Sequence, residues 1–75
     1  MADHEIDVRG LICPLPVLRA VEKMQTMTSG QTLRVLASDP ATVSDFEAYV
    51  KGSGNALLKS KKTAEGDFEF LLKRV

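Results

Sequence analysis

Two hydrophobic rhythms take turns along this chain. Over residues 5–8 apolar and polar positions alternate, which predicts a strand with Ile6 and Val8 facing inward. Arg9-Gly10-Leu11-Ile12 then turns the chain, and residues 14–28 switch to a helical period. Val17, Leu18, Val21, Met24 and Gln25 or Thr28 make one face of that helix, and Arg19, Glu22 and Lys23 lie off it. Ser29-Gly30 ends it, with Gly30 suited to a left-handed cap. Residues 32–37 alternate again, with Leu33, Val35 and Ala37 on one side. Ser38-Asp39-Pro40 reads as a helix start, Asp39 as N-cap and Pro40 at the first helical position. Val43, Phe46 and Val50 follow at helical spacing until Gly52-Ser53-Gly54. Residues 55–62 and 67–75 read as strands joined by a turn around Glu65-Gly66, with Phe68, Phe70 and Leu72 alternating in the second.

The order is βαβαββ. Each strand shows one apolar stripe, so one face of the sheet is covered and both helices belong on it. The first two strands are parallel across their helical crossover and the last two form a hairpin. The expected fold is an α/β (α+β) two-layer sandwich, with a mixed four-stranded sheet and two helices on one face. Met24 is assigned to the core and Met27 to the surface.

Length and composition narrow what such a sandwich can do. The chain has 75 residues, enough for one domain over residues 1–75. A chain this short buries only roughly 60% of its unfolded surface, which leaves little apolar material for a deep pocket. Ten basic and ten acidic residues cancel, so long-range attraction to nucleic acid or anionic membrane is weak. No stretch approaches the 18 or so apolar residues of a membrane span. Met1-Ala2-Asp3-His4-Glu5 lacks the basic and then apolar regions of a secretory signal. With one cysteine no internal disulfide forms, and the expectation is a cytoplasmic protein.

That cysteine is the candidate chemistry. Cys13 precedes Pro14, which disfavours the α region at position 13 and sets Pro14 as the first helical residue, with Pro16 at the third. The spacing places Cys13 at a helix mouth stiffened by two prolines. Helix polarity there favours thiolate over thiol. The single histidine, His4, lies at the start of the first strand, so a cysteine hydrolase with its base is disfavoured. One Cys and one His make no structural zinc site, and no second cysteine exists to resolve a disulfide. A lone activated thiol is left with transfer: accept a group, carry it, donate it.

Residues 6–16, Ile6-Asp7-Val8-Arg9-Gly10-Leu11-Ile12-Cys13-Pro14-Leu15-Pro16, closely resemble the signature of the TusA/SirA/YedF family of sulfur carriers, whose core is a C-P-x-P motif after a D-x-R-G-L-like turn. Asp39-Pro40-Ala41-Thr42 followed by Asp45-Phe46 resembles the same family's second-helix motif. The resemblance spans the chain and implies the same βαβαββ fold. It implies a sulfurtransferase that holds sulfane sulfur as a persulfide on Cys13, with Pro14 and Pro16 shaping the loop. It further implies a protein donor, such as a cysteine desulfurase or a rhodanese-like protein, and a protein acceptor with its own cysteine. Transfer RNA thiolation, molybdenum cofactor assembly, sulfur oxidation and selenium handling all stay open as pathways. No cofactor, metal, membrane or direct nucleic-acid partner is expected, and the chain is expected to be a monomer.

Around Cys13, Gly10 serves the turn, and Leu11, Ile12 and Leu15 are candidates for an apolar collar, with Leu15 exposed for partner docking. Arg9 and Arg19 are candidates for lowering the thiol pKa, and Asp45 for a contact with a neighbouring loop or with the partner. Asp39 is read as a helix cap, and Thr42 as back-bonding within its first turn. Lys59, Lys61, Lys62, Lys73 and Arg74 gather on the final hairpin. They read as guards of an exposed sheet edge, or as an RNA-binding patch. A non-catalytic regulatory or RNA-binding module with an incidental thiol is the competing reading, and it predicts that loss of Cys13 is tolerated.

Overall fold

Alternation decides the sheet. In the computed structural model, which describes residues 2–75, the apolar residues of β2 (Thr32–Ala37) are fully buried at Leu33, Val35 and Ala37, with half-buried residues between them. β2 is the parallel partner of β1 (His4–Asp7) and the antiparallel partner of β4 (Phe68–Lys73), which in turn pairs with β3 (Ala56–Lys62). The strand order is β1-β2-β4-β3, so the mixed four-stranded sheet is as expected, with β2 and β4 central. Met1, the first residue of the leader and domain readings, lies outside the described residues.

The helices α1 (Leu15–Met24) and α2 (Thr42–Ser53) supply the second layer. The core joins Val8, Ala20, Met24, Met27, Leu33, Val35, Ala37, Phe46, Phe70 and Leu72. The Phe46 and Phe70 rings meet at 4.7 Å between centroids, which fastens α2 to the middle of the sheet.

α1 departs from expectation in phase and length. Its buried stripe is Pro16, Ala20 and Met24, spaced four apart, and Val17 and Val21 flank it half-buried. Leu18, assigned to the core face, is 51% exposed. The helix stops at Met24, because the backbone tightens into i→i+3 bonds: Thr26 N–H donates to Lys23 C=O and Met27 N–H to Met24 C=O. Arg74 donates to the Met24 carbonyl at 2.6 Å, and Gly30 N–H donates to the Arg74 carbonyl. The last residues of the chain thus hold the helix end that a C-cap would otherwise serve. The tightened turn drops Met27 into the core, 4% exposed, where a surface position was expected. Gly30, at φ +90°, serves the turn into β2 rather than the end of the helix.

The face of the sheet away from the helices sets charged residues around Leu36 and Leu71. Arg34 is paired with both Glu5 and Glu69, and Lys61 lies 3.3 Å from Glu69. Lys59, Lys61 and Lys62 lie on β3, an outer strand of the sheet, in keeping with the edge-guard reading, but Lys73 is on the central strand β4 and Arg74 is turned to the Met24 carbonyl, so these two do not guard the edge. His4 contacts Gln31 at 3.1 Å.

Candidate functional site around Cys13

Two connections meet at one end of the sheet. The β1–α1 connection carries Cys13, and the β2–α2 connection carries Asp39. Because β1 and β2 are parallel neighbours, both chains leave the sheet at the same end and their loops are brought together. The first loop starts from Val8, which is buried and donates to the Leu36 carbonyl. Gly10 has φ +88°, a conformation that glycine takes without a side-chain clash. Its N–H donates to Ser38 Oγ at 2.9 Å, tying the two loops together.

Cys13 is exposed. The Cys13–Pro14 peptide is cis, and Pro14 rather than Cys13 takes the N-cap place, with Leu15 opening the helix and Pro16 second. Leu15 N–H donates to the Ile12 carbonyl at 2.9 Å, closing the loop beneath the sulfur instead of pointing at it. Pro16 is buried in the core. It therefore anchors the mouth of α1 from below, whereas Pro14 is exposed beside the thiol. Ile12 is 70% exposed and Leu15 40% exposed, while Leu11 packs on the core. The exposed apolar residues on this side are therefore Ile12, Leu15 and Leu18.

The surroundings of the sulfur are acidic. Cys13 N–H donates to Asp39 Oδ2 at 2.7 Å, and Cys13 Sγ donates to Asp45 Oδ2 at 2.7 Å. The hydrogen bond to Asp45, with burial and the negative charges of Asp45 and Asp39, pushes the thiol pKa up from its ordinary value. This corrects the expectation of a thiolate favoured by helix polarity and nearby arginines. Arg9 is held by Asp7 at 2.7 Å and by Asp67 at 3.5 Å. That pairing pulls the Asp7 carboxyl down to about 2. Arg19 pairs with Glu22 one turn along α1. Neither arginine bears on the sulfur.

Asp39 does something other than cap α2. Its Oδ1 accepts from Ala41 N–H at 3.0 Å, and Ala41 holds the N-cap place with a helical backbone. Asp39 closes the turn ahead of the helix and spends its other oxygen on Cys13. The two N–H donors hold its carboxyl below the usual range. Thr42, expected to back-bond, is fully buried, and its Oγ1 has no hydrogen-bond partner among the described residues.

The expected contact of Asp45 with a neighbouring loop is present, and its partner there, which the sequence did not single out, is the Cys13 thiol. The two residues are 32 apart, and only the parallel pairing of β1 and β2 makes their loops neighbours. Ser38 was likewise unassigned. A groove of about 360 Å³ lies nearby, lined by Ile6, Asp7, Val8, Leu11 and Arg19. Cys13 does not line it, so the thiol is a surface group rather than the floor of a pocket. Among the described residues no group of three or more His, Cys, Asp or Glu is placed to hold a metal ion. No helix of the described residues is long and apolar enough to cross a membrane.

Comparison with known proteins gives this loop its context. The profile of the family described as "Sulfurtransferase TusA" matches residues 4–74. The chain belongs to the TusA family. A sulfur carrier protein TusA from Allochromatium vinosum is 50% identical over 72 residues, covering 96% of this chain and 93% of the relative. A putative sulfur carrier protein from Archaeoglobus fulgidus is 38% identical over 71 residues, covering 95% of this chain and 92% of the relative. The crystal structure of a SirA-like protein from Desulfitobacterium hafniense superposes with a TM-score of 0.82 over 93% of this chain and 95% of that one. Its 22% identity makes it evidence for the fold alone. Within the TusA family the chain takes the sulfur-carrier role, and the reading as a regulatory or RNA-binding module is not favoured.

Proposed function

We propose that this TusA-family carrier acts as a sulfurtransferase through Cys13. The thiol accepts sulfane sulfur from a protein donor as a persulfide and hands it to a cysteine on a protein acceptor. The observation that carries the reading is the exposed lone thiol at the mouth of α1, outside the groove lined by Ile6, Asp7, Val8, Leu11 and Arg19 and flanked by the exposed apolar residues Ile12, Leu15 and Leu18. A sulfur in the open reaches a partner's cysteine without a channel, and an apolar flank excludes water while two proteins are docked.

The chemistry is thiol–persulfide exchange. Cys13 Sγ attacks the outer sulfur of the donor persulfide, a new S–S bond forms on Sγ, and the donor's own S–S bond breaks, leaving the donor as a thiol. Passing the sulfur on repeats the step with Cys13 as the leaving group. Each exchange is balanced between thiol and persulfide, so no outside oxidant is needed, and cofactors and metals play no part. A cysteine desulfurase or a rhodanese-like protein fits the donor role. The carrier works as a monomer in the cytoplasm on this reading, with Leu15 at the docking contact.

Intact-protein mass spectrometry tests it. Incubation with a cysteine desulfurase and free cysteine, or with a rhodanese and thiosulfate, should add one sulfur atom. The gain should be removed by reductant and absent from Cys13→Ser. No gain with either donor, or an equal gain in the variant, would contradict the proposal.

A further inference from the structure

The unloaded sulfur is held by one carboxylate. Asp45 sits in the first turn of α2, and its Oδ2 lies 2.7 Å from Cys13 Sγ. The other acid facing this residue is Asp39 of the β2–α2 connection, whose oxygens are taken by Cys13 N–H and Ala41 N–H. Asp45 is therefore the acid aimed at the sulfur itself. From the β1–α1 loop Arg9 turns to Asp7 and Asp67, and from α1 Arg19 turns to Glu22. Among the described residues no cation offsets the carboxylate at the thiol.

We propose that Asp45 is the proton-holding residue of the carrier: it fixes the unloaded Cys13 sulfur in place as a neutral thiol and receives its proton when that sulfur attacks a donor. The proposal rests on the persulfide-carrier reading and deepens it. As the Cys13 Sγ–S bond forms and the donor's S–S bond breaks, the thiol proton moves onto Asp45 Oδ2. The departing donor sulfur keeps the electron pair of the broken bond and takes up that proton. The sum is one thiol and one persulfide converted into one persulfide and one thiol. Until a donor is present the sulfur stays protonated, which slows attack on adventitious electrophiles, because the thiolate is the nucleophile. When the sulfur is passed on, Cys13 Sγ leaves with the electron pair of its S–S bond, and the proton lost by the acceptor thiol ends on Sγ, held again against Asp45 Oδ2.

The test is the pH profile of Cys13 alkylation by iodoacetamide, in the whole protein and without any sulfur donor. Asp45→Asn should move the profile to lower pH. A larger thiolate fraction is partly offset by an intrinsic reactivity that falls with the pKa, so the rate at neutral pH rises by less than the thiolate fraction does. Glu47→Gln removes the same charge from an exposed position of the same helix and should leave the profile where it is. If the Asp45→Asn profile superimposes on wild type or moves up, or if Glu47→Gln moves it as far, the proposal is overturned. Asp45→Ser and a thiolate-absorbance titration of the wild type keep the test decisive if Asp45→Asn fails to fold. A wild-type thiol ionising at or below the ordinary value would overturn the proposal by itself. Loss of loading in the mass experiment with a shifted alkylation profile would sink the carrier reading while leaving the Cys13–Asp45 contact standing; loading without the shift would do the reverse.

Discussion

The two helix mouths of this protein begin with the same device and use it oppositely. Each helix is approached through an X-Pro step, Cys13-Pro14 before α1 and Asp39-Pro40 before α2. At α2 the residue before proline is a carboxylate that closes the turn through Ala41 N–H, and the first helical turn carries a second acid, Asp45, which suits the positive end of the helix dipole. At α1 the first turn carries no acid, and neither Pro14 nor Pro16 has an N–H to offer. The second mouth is self-sufficient, with acceptors to spare, and the first is short of them. The surplus meets the shortage: Asp39 takes the Cys13 N–H and Asp45 takes the Cys13 thiol. On the proposed reading, one mouth presents the reactive atom, and the other fixes its position and its proton.

If that division holds, substitutions at the first mouth should abolish chemistry, and those at the second should change the thiol's reactivity or the stability of the fold. The largest effect is expected for Cys13→Ser, which should remove sulfur loading entirely while leaving the denaturant midpoint of unfolding unchanged. A midpoint that falls along with loading would mean the thiol also supports the fold. Next comes Phe46→Ala, which empties a fully buried site against Phe70 and should cost about 3–5 kcal/mol. That is a large share of the stability of so small a protein. Urea unfolding measures it, and a loss near zero would show that α2 is not anchored there. Thr42→Val should raise stability by about 1 kcal/mol, because it removes a buried hydroxyl without a partner and keeps the shape. Destabilisation instead would reveal a hydrogen bond at Thr42 Oγ1.

The smallest effect belongs to Asp39 and depends on pH. Its folded pKa is depressed by two N–H donors. Its contribution is therefore present above the ordinary carboxylate pKa of about 3.9 and is lost as pH falls through the folded value. Asp39→Asn should lower the unfolding midpoint at neutral pH, with the difference closing in acid. A difference that stayed constant with pH would place its origin elsewhere than in the charge.

Much of this architecture is written locally. The span of β2 and its three buried residues follow from alternation alone, and the end of α2 follows from Gly54, which takes φ +80° at the C-cap. α1 was harder to read because Leu18 and Ala20 compete for the inner face. A small residue lets the helix approach the sheet, and the larger leucine is left outside beside Leu15. The end of α1 depends on Arg74, 50 residues away, and no local pattern reports that. The site divides in the same manner. The place of Cys13, the exposure of Leu15 and the turn at Gly10 are local consequences of proline and glycine. The sign of the electrostatics was misread, because the arginines close in sequence are claimed by Asp7, Asp67 and Glu22, while Asp45 arrives from across the parallel pair.

The Cys13 sulfur is proposed as the atom that carries. Its most direct test is to load the protein with a desulfurase, trap the product with iodoacetamide, and locate the added sulfur by fragmentation mass spectrometry. All of the added sulfur should lie on the fragment containing Cys13, between Sγ and the alkyl group. Sulfur found on any other fragment, or a Cys13 fragment alkylated directly while the intact protein still carries the extra mass, would contradict it.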